Sequence, residues 1–202
     1  MSIKIYIDQG HNPVNPNAGA EGNGLREQDL VYTIGQRLAD RLRANPDFEV
    51  RLSRPTRDTQ LGSTTATSLS ARVNEANRWG ADYFISLHTN AASSPSASGT
   101  EAYAYARGTR AFAFGEDILD SLTAITGLRN RGMQARPGLY VLRKTQMPRC
   151  WWSWASSPTR ETPPSCGTIR GYSPRGSIGG SWIIREDDRI RKRPCAEAFR
   201  FI

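Results

Sequence analysis

What most constrains this chain is the way its apolar period switches along residues 3–142. Ile3-Lys4-Ile5-Tyr6-Ile7 alternates at period two with β-branched and aromatic residues and stops at Gly10, which reads as a strand. A loop rich in Gly, Asn and Pro runs from Asn12 to Gly24. Leu30, Ile34, Leu38 and Leu42 then recur on one helix face, closed by Asn45-Pro46. Phe48 to Leu52 returns to the strand period, and Leu69, Val73 and Ala76 mark a helix ending near Gly80. Tyr83 to Leu87 and Gly99 to Tyr105 are strands, with a Ser/Ala-rich loop from Ala91 to Gly99 between them. Phe114, Ile118, Leu122 and Ile125 share a helix face, and Leu139-Tyr140-Val141-Leu142 predicts a last short strand. Strands interleaved with helices of this length predict an α/β fold: one three-layer domain with a mostly parallel twisted sheet flanked by helices.

The length, 202 residues, suits one domain with a core of its own. No run approaches the ~18 apolar residues of a spanning helix. The opening Met1 to Asp8 has the pattern of a strand rather than the apolar core of a secretory leader. A net charge of +8 would suit an anionic polymer such as nucleic acid. However, residues 149–202 hold 10 Lys and Arg against 5 Asp and Glu, leaving 17 against 14 for the first 148. The same last segment holds all three cysteines (Cys150, Cys166, Cys195) and four of the five tryptophans. The basic balance therefore belongs mostly to one unusual segment, no nucleic-acid motif accompanies it, and the cysteines have neither zinc-finger nor disulfide-framework spacing.

The only two histidines, His11 and His88, both stand where a strand gives way to a loop. In open α/β sheets the crevice beyond the carboxyl ends of the strands is where ligands bind, so two such strands can bring two imidazoles together. Glu27, at the entry to the first helix, is the best-placed carboxylate. A His, Glu, His set leaves a fourth tetrahedral position for water, as in a catalytic zinc site. Spacing alone leaves open the alternative of hydrogen-bonded loop histidines and a first-turn glutamate complementing the helix dipole.

Ile7-Asp8-Gln9-Gly10-His11-Asn12, Gly24-Leu25-Arg26-Glu27 and Ser86-Leu87-His88-Thr89-Asn90-Ala91 resemble the zinc-dependent N-acetylmuramoyl-L-alanine amidases of the amidase 3 type. The likeness continues in order through Leu52-Ser53-Arg54, Leu69-Ser70-Ala71-Arg72, Ala76-Asn77, Ala81-Asp82, Asn130-Arg131-Gly132 and Leu139 to Arg143, covering residues 1–148. The resemblance implies one Zn²⁺ held by His11, Glu27 and His88, with Asn90 nearby on the substrate side. It also implies peptidoglycan as partner, cut at the amide between N-acetylmuramic acid and L-alanine, with action on the cell wall, outside the cell or associated with spores or lysis. A monomer is the favoured state, with nothing in the sequence that fixes it.

One departure stands out. The family carries a catalytic glutamate in a late strand of the type Val-Leu-Val-Glu-x-Gly-Phe, shortly after Met-Pro. Met147-Pro148 is present, but Arg149-Cys150-Trp151-Trp152-Ser153-Trp154 follows. The genetic code accounts for this. Read from each third base, Cys150 to Ala155 gives Leu-Val-Glu-Leu-Gly when Ser153 is encoded by AGT or AGC. The glutamate is thus expected near Trp152-Ser153 in a shifted frame, with residues 1–148 the catalytic domain and 149–202 an aberrant, frameshifted tail. Three function classes follow: an amidase impaired in this chain, a catalytically inactive zinc-containing wall-binding protein, and, least supported, a nucleic-acid module.

Overall fold

The computed structural model describes residues 2–22, 24–89 and 99–154. Six strands, β1 (Ile3–Gln9), β4 (Phe48–Leu52), β5 (Tyr83–Thr89), β6 (Thr100–Ala104), β7 (Asn130–Ala135) and β8 (Arg149–Trp154), form one sheet of order β4-β1-β5-β8-β6-β7. Every neighbouring pair is parallel except β6 with β8, so the sheet is mostly parallel, as the alternating pattern predicts. A two-stranded ribbon, β2 (Glu21–Gly22) with β3 (Leu25–Arg26), lies in the glycine-rich loop.

Helices cover both faces. Ile5, Ile7, Ile85, Leu87, Cys150 and Trp152 pack with α1 (Glu27–Arg43) and α3 (Arg110–Thr126) in one core cluster. Tyr6, Phe84 and Tyr103 face α2 (Thr65–Trp79) and α4 (Tyr140–Lys144) in the other. These are the three layers expected. In α1 the buried stripe runs through Val31, Gly35, Leu38 and Leu42, leaving Leu30 and Ile34 half-buried. Gly35 explains the rotation: a Cβ there would stand 2.4 Å from Gln9 Cγ, so its bare backbone lets the helix sit close on β1.

Two expectations change. Tyr140 to Lys144 is a helical turn and a half instead of a strand. Val141 and Leu142 are buried side by side, a pairing too short to distinguish the two periods. Asn77 clamps the end of this turn, its Nδ2 donating to Lys144 O at 3.1 Å and its Oδ1 accepting from Gln146 N at 3.0 Å. The sheet also runs past Pro148. β8 lies between β5 and β6, with Cys150 and Trp152 fully buried, so the first six residues beyond the expected boundary belong to the sheet centre. Burial pushes the Cys150 thiol pKa up, which makes it a core residue rather than a nucleophile. Residues 155–202, the remainder of the expected tail, lie outside the described residues.

Candidate metal centre

His11 follows the end of β1 and has a φ of 67°, a left-handed conformation uncommon for a residue with a side chain. A buried arginine holds that turn. Arg72 on α2 donates from Nη1 to Asp8 Oδ1 (2.6 Å) and Gln9 O (2.7 Å), and from Nη2 to His11 O (2.5 Å) and Asn12 Oδ1 (3.2 Å). Burial works against an ionised Asp8, but the Arg72 charge and hydrogen bond outweigh it and hold the carboxyl below its ordinary range. Sequence reasoning assigned Arg72 no role. The available signal was a charged residue on the apolar face of a helix, one turn after Leu69.

His88 lies within the last turnings of β5 rather than beyond it, and Glu27 opens α1. Gly10 makes room for the His88 ring: a Cβ there would approach His88 Cε1 to 2.4 Å and Leu87 O to 2.7 Å. The three side chains meet. Glu27 Oε1 is 3.1 Å from His11 Nε2 and 3.2 Å from His88 Nδ1, and the two nitrogens are 3.2 Å apart. The imidazoles are set edge to face, 4.8 Å between centroids.

Electrostatics favour a ligand set. Burial opposes the Glu27 charge, but hydrogen bonds to both histidines overcome it and hold the carboxyl well below the usual range. Glu27 Oε1 also accepts from Thr89 N at 2.9 Å, and Oε2 from Ala20 N at 3.2 Å. For His88, burial lowers the pKa against the raising effect of Glu27, favouring the neutral ring that metals require. The spacing fits as well. Tetrahedral ligands about 2.0–2.1 Å from zinc stand about 3.3–3.4 Å apart. The trio could therefore hold a metal ion with little movement.

A cleft of about 300 Å³ opens over the trio. Its other walls are Tyr103, Arg136, Leu139, Trp151 and Ser153, with Thr89 at the edge. The Trp151 indole stacks on the His88 ring, centroids 3.6 Å apart and planes within 5°. Of the two positions near which the family glutamate is expected, Trp152 points into the core and Ser153 into the cleft. Ser153 pairs with His88 on one side and Glu101 on the other. Asn90 lies outside the described residues.

The signature of the N-acetylmuramoyl-L-alanine amidase family (Amidase_3) matches residues 5–155, three quarters of the chain and all of the sheet's site-bearing strands. The chain belongs to this amidase family. Among its relatives, the N-acetylmuramoyl-L-alanine amidase CwlM of Bacillus licheniformis is 34% identical over 148 residues, covering 72% of this chain and 53% of CwlM. LytC of Bacillus subtilis is 35% identical over 146 residues, covering 71% of this chain and 27% of LytC. The chain thus spans about half, or less, of the length of these amidases. Among solved structures, the amidase AmiC2 of Nostoc punctiforme superposes with a TM-score of 0.71 at 27% identity, covering 98% of this chain and 93% of AmiC2. The catalytic domain of CwlV from Bacillus (Paenibacillus) polymyxa gives 0.65 at 29% identity, covering 75% and 79%. The family match runs beyond Pro148 and takes in β8.

Proposed function

We propose that this chain is a peptidoglycan hydrolase of the amidase type, cutting the amide between N-acetylmuramic acid and L-alanine. In this reading His11, Glu27 and His88 hold one Zn²⁺ per chain. The convergence of three ligand atoms within 3.2 Å is the observation that carries it. When bound, zinc would lower the pKa of a water toward ~7 and polarise the amide carbonyl. Glu27 supplies the anionic ligand, fixed by Thr89 N and Ala20 N, and the two histidines supply neutral nitrogens. Asn90 is proposed on the substrate side of the cleft. Relatives named as a sporulation-specific amidase and a germination-specific amidase of Bacillus subtilis, and as an endolysin of Bacillus phage SPP1, support action on the cell wall. Among the described residues no helix is long and apolar enough to cross a membrane.

The same cleft favours impaired hydrolysis in this chain. Ser153 offers a hydroxyl where the family glutamate is expected, and a hydroxyl does not take and return a proton near neutral pH as a carboxylate does. One added nucleotide between the codons of Pro148 and Arg149 would place Leu-Val-Glu-Leu-Gly at positions 151–155. The glutamate then falls at 153, on the cleft face. This register supports the frameshift reading. It also supports the alternative of an inactive, zinc-containing wall-binding protein as the behaviour of the 202-residue chain.

The test compares clearing of purified peptidoglycan by the 202-residue chain and by its frame-restored version, each with and without chelator. Chelator-sensitive clearing by the restored chain, with zinc bound but clearing far slower in the 202-residue chain, is the expected result. Equal clearing by the two would overturn the assignment at position 153, and absence of clearing by both would overturn the amidase reading.

A further inference from the structure

Apart from the metal-facing trio, Arg136 is the one ionised side chain among the described residues that line the cleft. Its backbone is pinned on both sides: Arg136 N donates to Ala104 O at 2.8 Å, and Arg136 O accepts from Leu139 N at 3.2 Å. Its guanidinium lies over the Tyr103 ring, 4.8 Å from the centroid. A guanidinium held over an aromatic face keeps its N–H groups available to a second partner. Among the described residues no carboxylate forms an ion pair with it. The nearby Glu101 is engaged by Arg131 at 3.4 Å, and Glu27 is committed to the histidines. A pre-oriented arginine fork without a carboxylate, in a cleft beside a hydrolytic centre, is a receptor for a carboxylate of the substrate.

The chemistry of the scissile bond decides which one. The lactyl carboxyl of the muramic acid is consumed in the amide being cut, so the sugar at the cut offers no carboxylate. An anion within reach must come from the peptide side. We propose that Arg136 is a specificity-determining residue that binds a free carboxylate of the stem peptide beyond L-alanine. It would thereby discriminate acidic stems from stems whose carboxyls are amidated. This inference rests on the amidase reading above.

Binding can be measured calorimetrically on the zinc-loaded 202-residue chain, with ligand integrity checked by mass spectrometry. The probes are N-acetylmuramoyl-L-alanyl-D-glutamate and the same compound with both carboxyls amidated. The unmodified chain should prefer the acid by ~10-fold or more, as a charge-assisted bidentate contact implies. Arg136→Gln should bind the two forms alike, and Arg136→Lys should keep part of the preference, since it retains the charge without the fork. Zinc content and far-UV circular dichroism report whether either variant folds, and a purely structural role would not move the acid-to-amide ratio. If the unmodified chain binds both forms equally, or if Arg136→Gln keeps the preference, the Arg136 assignment fails while the amidase reading stands. If the unmodified chain binds neither form, both fail together.

Discussion

β5 and β8 lie side by side in the sheet, paired residue for residue, yet they satisfy their surroundings on different terms. Toward α1 and α3, Ile85 and Leu87 of β5 are matched by Cys150 and Trp152 of β8, and all four are buried. On the opposite face, His88 is matched by Ser153 at the cleft, and the buried Ser86 by Trp151. The core face asks only for apolar side chains of suitable volume, whereas the cleft face asks for particular atoms in particular places. The proposed frame change preserves the first and loses the second. With one added nucleotide, position 150 becomes Leu, Met or Val whatever the Arg149 codon, and position 152 becomes Val. Either reading therefore gives a strand that packs, and only one gives a carboxylate at 153.

The largest effect should come from breaking the β5 side. If the proposed ligand set is right, His88→Ala leaves two of three protein ligands, and zinc content measured by atomic emission should fall from the proposed one per chain to a small fraction. Unchanged stoichiometry would remove His88 from the ligand set. Next comes the β8 side. Ser153→Glu in the otherwise unaltered 202-residue chain should raise chelator-sensitive amide hydrolysis, approaching the ~10²–10⁴-fold typical of general acid–base assistance. No gain, despite bound zinc, would place the missing proton carrier elsewhere than position 153.

The buried face of β8 can be tested by stability. Trp152 is 1% exposed and packs edge to face against Phe114, with ring centroids 6.1 Å apart. Trp152→Ala should lower unfolding stability by about 3–5 kcal/mol, the range for large aromatic truncations in a core. A loss under about 1 kcal/mol in denaturant titration would mean that β8 is not an integral strand. The Asp8–Arg72 pair makes a smaller, pH-gated contribution. Asp8 has a folded pKa below its unfolded value near ~3.9, so the pair's stabilisation is present above that value. It is lost as pH falls through the folded pKa, so the metal-free chain should lose stability below about pH 4, on top of the earlier decline that the lowered His88 pKa produces as pH falls below ~6.5. A midpoint that does not fall further below about pH 4 would show that the Asp8–Arg72 pair adds nothing to folding.

The contrast between the two strands also explains what could be recognised in advance. β1, β5 and the three long helices announce themselves through sustained periodicity, and His11, Glu27 and His88 through the ordered resemblance. β7 does not, because it is an edge strand whose sole buried residue is Met133, leaving no period-two apolar pattern. α4 is too short to show a period at all. The Arg72 clamp and the grouping of Tyr103, Arg136 and Trp151 depend on pairings between distant segments, which no local pattern encodes. β8 was obscured for the opposite reason. Its Cys/Trp composition looks foreign, but alternate burial requires only that Cys150 and Trp152 be apolar.

The smallest effect should come from the Trp151 stack. Its indole covers the His88 face at 3.6 Å, whereas the restored frame would place Leu at the same position. Beyond the Nδ1 contact with Glu27, the His88 ring is confined between Gly10 and Trp151. A leucine still fills that side, though with less contact over the ring. Trp151→Leu should therefore weaken zinc binding only a few-fold in competition with a chromogenic chelator, less than the ~10–100-fold of a lost outer-shell hydrogen bond. The same variant should lose the part of the tryptophan emission that a quenching metal such as Co²⁺ suppresses on binding at His88. A fall in affinity beyond ~100-fold would show that the stack is essential to the metal centre. The Leu-bearing strand of the restored frame would then need another contact to hold His88.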